Sequence, residues 1–472
     1  MIRFGTGGWR AVIGEDFTQE NVRRVAAGIL ALMREEGRTD RPVVIGYDRR
    51  FLSEPAARWT AEVLAAGGVD VWFMNRSAPT PLVMFTVMNR GLHYGVEITA
   101  SHNPARYDGV KLVVGEGRDA PAATTRRVEE LVAALPAGTP PFLPFDEAVA
   151  AGRVAYPKNP FNPFIDSILS RIDVAALRER GLRVLFDTMH GSGAYPLLVV
   201  FYTARCTIDT MNMNKDAWFD GQMPAPNPKS LSSLADAVVK GGYDLGIAMD
   251  GDGDRLGIID RTGRYVSANE ILCMLYDYLV RCKGWRGPVV RNVATTHLLD
   301  RIAESFGERC HEVPVGFKYV SAKIDETDAV LGGESSGGLT VRGHIHGKDS
   351  AYAASLFAEM VSVTGKSPSE LVADLEARFG AFRTAEDAIR FEDGDRKAAV
   401  ERLLLEERRL PDFDEPIERV GYEDGCKVYF KGGDWTLCRF SGTEPLLRVV
   451  AESSTEAKAR DYVDAFRSFL RV

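Results

Sequence analysis

Several features that would classify this chain of 472 residues at once are scarce or missing from it. Its six cysteines are scattered and form no C-x-x-C pair, which disfavours a disulfide framework or a cysteine zinc site. No apolar run approaches the ~20 residues that span a bilayer, and the opening residues, MIRFG, lack the apolar segment of a secretory signal. We therefore expect a cytoplasmic protein with reduced thiols and no membrane partner.

Positive charge is also in short supply. The chain has 58 lysines and arginines against 66 aspartates and glutamates, a net charge of -8, and contains no basic run. This balance argues against a nucleic-acid partner. An acidic protein can still bind an anion where local arginines, lysines, backbone amides or a metal create a positive pocket.

Strand and helix patterns alternate along much of the chain. Buried strands are predicted at residues 42–47, 69–73, 182–186 and 288–293, and helices at about 54–66 and 298–306. This alternation predicts α/β units with mostly parallel sheets. The last ~90 residues combine charge-rich helices with a short β-like stretch at 427–430, and they predict a smaller α+β unit.

Clusters of proline, glycine and polar residues suggest where domains meet. Two such clusters lie at 136–144 and 156–164, and further boundaries are expected just after Asp260 and near Phe379. The predicted domains are 1–150, 151–260, 261–378 and 379–472.

The segment MDGDGDR places Asp250, Asp252 and Asp254 directly after an apolar stretch. Carboxylates that alternate with glycines can converge on a hard cation such as Mg²⁺. A calcium EF-hand does not fit, because its sixth position would be Arg255 and its twelfth Arg261. The residues alone leave open an aspartyl-phosphate nucleophile.

The segment TASHNP, residues 99–104, follows another apolar stretch. Ser101 is either an ordinary turn residue or a nucleophile at the end of a strand, with His102 beside it. The hexapeptide does not decide between these two interpretations.

Three weaker loops also carry polar groups. GGESSGG, 332–338, presents a carboxylate and hydroxyls that suit a sugar, and RFSGTEP, 439–445, combines Arg439 with amides that suit phosphate. GTGGWR, 5–10, is a glycine-rich loop that carries an arginine, but its spacing is not that of a dinucleotide fingerprint. His344 and His346 are expected in an exposed loop rather than at a metal.

Together, these motifs resemble the α-D-phosphohexomutase family, which includes phosphoglucomutases, phosphomannomutases and phosphoglucosamine mutases. TASHNP is similar to the family's phosphoserine loop, DGDGDR to its magnesium loop, GESSG to its sugar-recognition loop and RFSGTEP to its phosphate-binding loop. They occur in the family's order and extend along the whole chain. The resemblance implies an isomerase that interconverts hexose 1-phosphate and hexose 6-phosphate through a phosphoserine and a bound hexose 1,6-bisphosphate.

The resemblance also implies roles for individual residues. Ser101 would carry the phosphoryl group, Lys111 would act as general acid and base with assistance from His102, and Arg255 would contact the phosphate. One Mg²⁺ would be held by Asp250, Asp252, Asp254 and an oxygen on Ser101. The substrate contacts would be Arg10, Lys318, Glu334, Ser336, Arg439, Ser441, Gly442 and Thr443. Glucose 1,6-bisphosphate would serve as intermediate and activator.

The fold implied by the resemblance is α/β, with four domains around a central cleft. Three related α/β domains with mixed sheets would be joined by a smaller C-terminal α+β domain that closes over the substrate. The partner would be a small sugar phosphate, and the protein a monomer or homodimer.

The chain departs from the family pattern at a few positions. Many bacterial members have Asp in place of Gly7, Asn in place of Asp108 and His in place of Gly338, and the glucosamine type has Gln in place of Ser335. Gly338 weakens an assignment to the dual glucose/mannose type, and Ser335 weakens one to the glucosamine type. The departures therefore leave the sugar open; we expect glucose, with mannose or glucosamine as alternatives. Two rival classes remain: an aspartyl-phosphate phosphatase or mutase with Asp250 or Asp252 as nucleophile, and a catalytically silent sugar-phosphate-binding protein.

Overall fold

The computed structural model describes residues 2–5, 7–391, 394–440 and 446–470 of the chain. The chain forms two compact units, and both are discontinuous in sequence. The first contains Met1–Ile271 with Ser336–Ser369, and the second contains Leu272–Ser335 with Glu370–Val472.

The first unit begins with a mixed sheet that carries the TASHNP segment. Its strands are β1 (Phe4–Gly5), β2 (Gly8–Val12), β3 (Val43–Tyr47), β4 (Val71–Phe73), β5 (Tyr94–Ile98), β6 (Tyr107–Val114), β7 (Arg118–Asp119) and β8 (Val154–Ala155). The strand order is β1-β2-β6-β5-β3-β4-β8, and β7 pairs with β6. β3 is parallel to β4 and β5, whereas β6 runs antiparallel to β5 and β2.

Five helices accompany this sheet. They are α1 (Gln19–Glu35), α2 (Ser53–Ala66), α3 (Thr80–Arg90), α4 (Ala122–Ala134) and α5 (Phe145–Ala150). The helix α1 begins where the Thr18 side chain accepts a hydrogen bond from the Asn21 amide, and α3 ends at Gly91 with a φ of 59°. Apolar residues of α1 such as Val25 and Ile29 pack with Val43 and Ile45 of β3, so the predicted strand at 42–47 is buried in the core.

The predicted glycine-rich loop at 5–10 is instead part of a tight hairpin. Phe4 pairs with Trp9 and Gly5 with Gly8, which places Arg10 on β2 rather than in an open loop. Gly8 has a φ of 108°, a conformation that favours glycine at this turn. The prediction of a loop at this segment was therefore wrong.

A second sheet in the first unit carries the aspartate-rich segment. Its elements are α6 (Phe161–Leu169), α7 (Val174–Arg180), β9 (Arg183–Asp187), α8 (Ala194–Thr203), β10 (Thr207–Met211), α9 (Ser232–Gly241), β11 (Leu245–Met249), β12 (Leu256–Asp260) and β13 (Tyr265–Val266). The order is β10-β9-β11-β12-β13, parallel over the first three strands and antiparallel over the rest. The predicted strand at 182–186 is β9.

The next stretch of chain passes from the first unit to the second and back. Its elements are α10 (Ala268–Arg281), β14 (Val289–Asn292), α11 (Leu298–Ser305), β15 (Cys310–Val313), α12 (Phe317–Thr327), β16 (Leu331–Gly333), β17 (Leu339–Val341), α13 (Ser350–Thr364) and α14 (Pro368–Phe379). Within the second unit, β14 pairs in parallel with β15 and with β16. The strand predicted at 288–293 and the helix predicted at 298–306 appear as β14 and α11.

The C-terminal part of the second unit is an antiparallel sheet with helices. Its elements are β18 (Arg383–Arg390), α15 (Gly394–Glu401), β19 (Ile417–Gly421), β20 (Cys426–Phe430), β21 (Trp435–Phe440), β22 (Leu446–Ser453) and α16 (Glu456–Leu470). The strand order is β18-β22-β21-β20-β19. This sheet confirms the predicted α+β character of the C-terminal region.

Two further observations bear on the expectations from composition. All six cysteines are free, as predicted. No helix within the described ranges combines the length and the apolar composition that crossing a bilayer requires.

Candidate active site

The chain turns sharply after β5, and Ser101 lies at this turn. Ser101 is fully buried and has a φ of 51°, which is uncommon for a residue other than glycine. Its N–H donates to Thr99 Oγ1 at 2.8 Å, and its carbonyl oxygen accepts from Arg50 Nη2 at 2.6 Å. These hydrogen bonds stabilise the strained backbone and fix the direction of the Ser101 side chain.

Arg50 binds the Ser101 turn at several carbonyl groups. The guanidinium forms a fully buried ion pair with Asp48, with 3.1 Å between Nε and Oδ2. It donates to the backbone carbonyl oxygens of Ser101, Asn103, Pro104 and Tyr107. Arg50 was not among the residues predicted from the sequence. The available signal was the polar run that follows β3, because β3 is the parallel neighbour of β5 and both strands end at the same edge of the sheet.

The Ser101 hydroxyl faces acidic and basic groups of the first unit. Its Oγ donates to Asp250 Oδ2 at 3.0 Å and lies 3.4 Å from His102 Nδ1. The two sequence motifs that contain Ser101 and Asp250 are therefore in direct contact.

The aspartate triad, Asp250, Asp252 and Asp254, follows β11 in a tight loop. All three side chains are buried, and one carboxylate oxygen of each lies within 4.8 Å of the others. Asp250 Oδ1 accepts the backbone N–H groups of Asp254 at 2.9 Å and of Arg255 at 3.0 Å. Gly253, with a φ of 70°, permits the turn that brings the carboxylates together.

Two oxygens of the triad are buried and accept no hydrogen bond from a described residue. Asp252 Oδ2 accepts from Lys111 Nζ and from Thr80 Oγ1, both at 2.6 Å, and Asp254 Oδ2 accepts from Lys111 Nζ at 3.0 Å. The Oδ1 atoms of Asp252 and Asp254 have no hydrogen-bond partner among the described residues. Such oxygens are costly to bury unless they bind something, and hard carboxylate oxygens are ligands that Mg²⁺ prefers. The triad therefore fits a divalent cation.

The charges of the site perturb its titrating groups in opposite directions. Burial and the charges of Asp252 and Asp254 raise the pKa of Asp250 well above its ordinary value. Burial alone would also raise the pKa of Asp254, but the charges of Lys111, Lys348 and Arg255 hold it well below the ordinary value. Burial would lower the pKa of Lys111, and the charges of Asp252 and Asp254 raise it instead.

Two arginines and a histidine add positive potential beside the triad. Arg10 Nη1 donates to Asn103 Oδ1 at 2.7 Å, and Arg255 Nε lies 4.0 Å from Asp250 Oδ2. The Nε atoms of both arginines are buried without a hydrogen-bond partner among the described residues. Burial, together with the charges of Arg255 and Arg10, lowers the pKa of His102 well below its ordinary value. Open guanidinium donors of this kind fit an anion such as a phosphate.

Three further predicted residues belong to the second unit. Glu334 is buried, and its Oε1 accepts from Asn292 Nδ2 and from the Gly316 amide, both at 3.0 Å. Arg439 Nε donates to Asp424 Oδ2 at 2.9 Å. Lys318 lies on α12, with its Nζ 5.3 Å from the centre of the Tyr319 ring.

The remaining predicted contacts divide into exposed and undescribed positions. Ser336 belongs to the first unit and is exposed. Ser441, Gly442 and Thr443 lie outside the described residues.

His344 was expected in an exposed loop, and this prediction was wrong. The side chain is buried, and its Nε2 lies 2.6 Å from Asp349 Oδ2. The ring stacks on Phe164 at 6.2 Å between centroids and packs against Tyr352 at 4.7 Å. An apolar environment with one carboxylate partner explains the burial without a metal.

Four family profiles together match most of the chain. They are described as phosphoglucomutase/phosphomannomutase alpha/beta/alpha domain I (residues 1–137), domain II (162–263), domain III (267–379) and C-terminal domain (360–468). These profiles define an isomerase that transfers a phosphoryl group within its substrate. The chain belongs to the phosphoglucomutase/phosphomannomutase family.

Individual relatives extend the match over the full length. A phosphoglucomutase/phosphomannomutase of Thermococcus kodakarensis is 31% identical over 98% of this chain and 96% of its own. A phosphoglucosamine/phosphogalactosamine mutase of Sulfurisphaera tokodaii is 27% identical over 99% of this chain and 98% of its own. A crystal structure assigned as a phosphomannomutase from Thermus thermophilus is 28% identical, covers 100% of this chain and 99% of its own, and has a TM-score of 0.85.

Proposed function

We propose that this protein interconverts hexose 1-phosphate and hexose 6-phosphate by way of a phosphoryl group carried on Ser101 Oγ. The observation that carries the proposal is the 3.0 Å hydrogen bond from Ser101 Oγ to Asp250 Oδ2, beside two open carboxylate oxygens of the triad. A serine placed this way can hold a phosphoryl group next to a cation site.

The reaction consists of two phosphoryl transfers, the first from Ser101 to the sugar and the second from the sugar back to Ser101. In the first, the free hydroxyl of a hexose phosphate attacks the phosphorus on Ser101, the bond from phosphorus to Oγ breaks, and a hexose 1,6-bisphosphate forms. The bisphosphate then turns over within the site. In the second transfer, Ser101 Oγ takes the other phosphoryl group, and the isomeric monophosphate leaves.

Residues of the first unit assist these transfers by exchanging a proton and by stabilising negative charge. Lys111 exchanges the proton with the reacting oxygens, and His102, 3.4 Å from Ser101 Oγ through its Nδ1, assists. Arg255 and Arg10 bind phosphate oxygens through their open guanidinium groups. The aspartate triad and an oxygen on Ser101 would hold one Mg²⁺, which would neutralise negative charge on the phosphoryl group.

Residues outside this cluster would recognise the sugar and the phosphate that is not transferred. Glu334 and Ser336 would bind sugar hydroxyls, with Lys318 as a further contact. Arg439, together with the Ser441–Thr443 loop, would bind the phosphate that is not reacting. We assign the phosphoserine to domain 1–150, the metal-binding loop to domain 151–260, sugar recognition to domain 261–378 and binding of the non-reacting phosphate to domain 379–472, in a cytoplasmic monomer or homodimer.

The sugar is proposed to be glucose, with glucose 1,6-bisphosphate as intermediate and activator. Mannose and glucosamine are the alternatives, because the relatives bear the names of phosphoglucomutase, phosphomannomutase and phosphoglucosamine mutase activities. A coupled assay with the 1-phosphates of all three sugars, under identical conditions, ranks them directly.

The test of the phosphoserine replaces Ser101 by alanine. After incubation with glucose 1,6-bisphosphate, intact mass and peptide mapping should find one phosphoryl group on Ser101 of the wild type and none on Ser101→Ala, which should also be inactive. Ser355→Ala is the matched control, since Ser355 is also buried but only donates to the Ala351 carbonyl within α13. Full activity of Ser101→Ala would contradict the proposal.

The aspartyl-phosphate rival is separated by the chemistry of the phosphorylated enzyme. An acyl phosphate on Asp250 or Asp252 is cleaved by hydroxylamine, whereas phosphoserine survives it. Retention of the label after hydroxylamine treatment supports Ser101, and its loss supports the aspartate.

A further inference from the structure

In the first unit, the side chain of Lys348 fills the space that a side chain at position 338 would need. A Cβ atom built on Gly338 would lie 2.1 Å from Lys348 Cδ and 2.8 Å from Lys348 Cγ. Separations below about 3 Å between such atoms are not tolerated in packed interiors, so a residue larger than glycine would displace the lysine stem. The absence of a side chain at position 338 is therefore what admits Lys348.

The ammonium group of Lys348 ends on the aspartate triad. Its Nζ lies 2.8 Å from Asp254 Oδ2, and the lysine is only 9% exposed. The same oxygen accepts from Lys111 Nζ at 3.0 Å. Lys348 was absent from the residues that the sequence singled out, and it is the second ammonium on one carboxylate.

Local hydrogen bonds fix the backbone that carries Lys348. The next residue, Asp349, caps α13 by accepting from the amides of Ala351 at 2.8 Å and Tyr352 at 3.1 Å. Its amide donates to the Leu339 carbonyl at 3.2 Å, and Ser350 Oγ donates to the carbonyl of Gly253 in the triad loop. The segment that carries Lys348 is thus attached to the triad loop through Ser350, in addition to the ion pair of Lys348 with Asp254.

Cationic side chains of the chain itself already surround the triad. Among the described residues, its carboxyl groups have Lys111, Lys348 and Arg255 within 4.0 Å. At short range and low effective dielectric constant, each of these charges strongly opposes a further cation.

We propose that Lys348 is a built-in counter-ion of the aspartate triad that competes with the divalent cation for Asp254. Lys348 is a positioning residue that acts through Asp254, and Gly338 is the position that admits it. With Lys348 present, the triad stays folded without metal but binds metal less tightly. This inference rests on the proposed function only for the placement of the cation.

The first experiment measures Mn²⁺ binding by calorimetry and the unfolding temperature with and without Mn²⁺, on the full chain freed of metal. Lys348→Met keeps the length of the stem and removes the charge, and Lys348→Gln keeps a hydrogen-bond donor. Both should lower the unfolding temperature of the metal-free protein, enlarge the rise on adding Mn²⁺, and tighten Mn²⁺ binding by roughly tenfold or more. A residue that only supported the loop would weaken Mn²⁺ binding when replaced.

Lys240→Met is the matched control. Lys240 also pairs with an aspartate, Asp236, but at 3.7 Å on the exposed surface of α9. Its replacement should leave Mn²⁺ affinity unchanged.

A double-mutant cycle tests the part played by Gly338. Gly338→Ala in the wild type should displace Lys348 and tighten Mn²⁺ binding, whereas Gly338→Ala in a Lys348→Ala background should change nothing. Coupling of this kind is expected only between residues in contact.

Three outcomes are decisive. Unchanged or weaker Mn²⁺ binding in both Lys348 variants overturns the counter-ion role, as does additivity in the Gly338 cycle. If the wild type binds Mn²⁺ and Asp252→Asn does not, the proposed metal placement stands, even when the Lys348 variants bind Mn²⁺ no more tightly than the wild type. Wild-type protein that binds no Mn²⁺, or binds it independently of Asp252, refutes the metal placement and the competition with it.

Discussion

Two ionic clusters, one in each compact unit, differ in how completely their carboxylate oxygens are partnered. In the first unit, Asp252 and Asp254 each keep one carboxylate oxygen that accepts no hydrogen bond from the part of the chain that the structure describes. In the second unit, Glu312 Oε2 accepts from Arg291 Nη1 at 2.6 Å and from Lys427 Nζ at 2.7 Å, and Oε1 accepts from the Tyr429 hydroxyl. Both oxygens of Glu312 are engaged.

The cationic side chains around Glu312, Arg291 and Lys427, also have further hydrogen-bond acceptors. Arg291 binds both carboxylate oxygens of Asp300, at 2.7 Å from Nε and 3.0 Å from Nη2. Lys427 Nζ also donates to the Val293 carbonyl at 2.6 Å and lies 3.0 Å from His297 Nε2. Buried charge by itself therefore does not identify a functional site. Open acceptors on carboxylates that converge within 4.8 Å are a stronger indication, because a folded chain rarely leaves them so without a ligand.

The largest effect is expected where an open acceptor is removed. Asp252→Asn should lower turnover roughly 10³- to 10⁴-fold, since several kcal/mol of charge stabilisation by the cation are lost and each ~1.4 kcal/mol is tenfold. The unfolding temperature should change little, because Lys111 keeps a buried carboxylate partner in Asp254, whose Oδ2 lies 3.0 Å from its Nζ. Chelation of the wild type should reproduce the loss and Mg²⁺ should reverse it, so full activity in a chelator would contradict the assignment.

The closed cluster should respond in stability rather than in turnover. Glu312→Gln leaves buried Lys427 without its carboxylate and should cost about 3–5 kcal/mol of unfolding free energy, measured by urea titration. Glu326→Gln is the matched control, because Glu326 pairs with Lys323 at the surface and such pairs contribute about 1 kcal/mol or less. A Glu312 variant as stable as the control would remove the distinction between the two clusters.

A smaller effect is expected at Arg439, which we assign to the phosphate that is not transferred. A charge-assisted hydrogen bond contributes roughly 1.5–3 kcal/mol, so Arg439→Ala should lower kcat/KM on the order of 10- to 150-fold. Part of the loss should appear in kcat, because remote binding energy also orients the reacting groups. The variant should still bind Mg²⁺ and carry phosphate on Ser101, and unchanged kinetics would exclude Arg439 from the substrate site.

The smallest expected effect is a loss of stability at acidic pH. Burial and the charge of Arg291 lower the pKa of His297 to about 3, from an ordinary value of 6.5. Between these values the unfolded chain binds more protons than the folded one, so stability rises with pH and is lost as the pH falls through this window. At pH 5 the loss should reach about 2 kcal/mol. Urea titrations at pH 7 and 5 measure it, and an equal loss in His297→Gln would contradict this origin.

The residues of the site that the sequence predicted correctly belong to short, local sequence motifs. Ser101 follows the buried strand β5, and the triad follows the buried strand β11. The ends of these two strands lie close together, so that Ser101 contacts Asp250. Thr80 is a different case, because its hydroxyl reaches Asp252 from 172 residues away. No local pattern records such a contact, which depends on how α3 packs in the folded chain.

Similar limits explain the two errors in the fold. His344 is buried because Phe164 and Tyr352 cover its ring, and neither partner is implied by the HIH sequence. Arg10 lies on a strand because Gly8 allows the hairpin and β6 supplies the next partner strand. The alternation of strands and helices, by contrast, follows from composition along the chain, and it was predicted correctly.

The discontinuity of the second unit has a consequence during synthesis on the ribosome. The contact between Glu312 and Lys427 spans 115 residues, so the carboxylate emerges from the ribosome well before the lysine that neutralises it. At 5–20 residues per second, this interval lasts roughly 6–23 s. Throughout it, the nascent strands β14 and β15 lack part of their final packing. Chaperones that bind unfinished chains would therefore have this interval in which to bind the segment that carries Glu312, before Lys427 emerges.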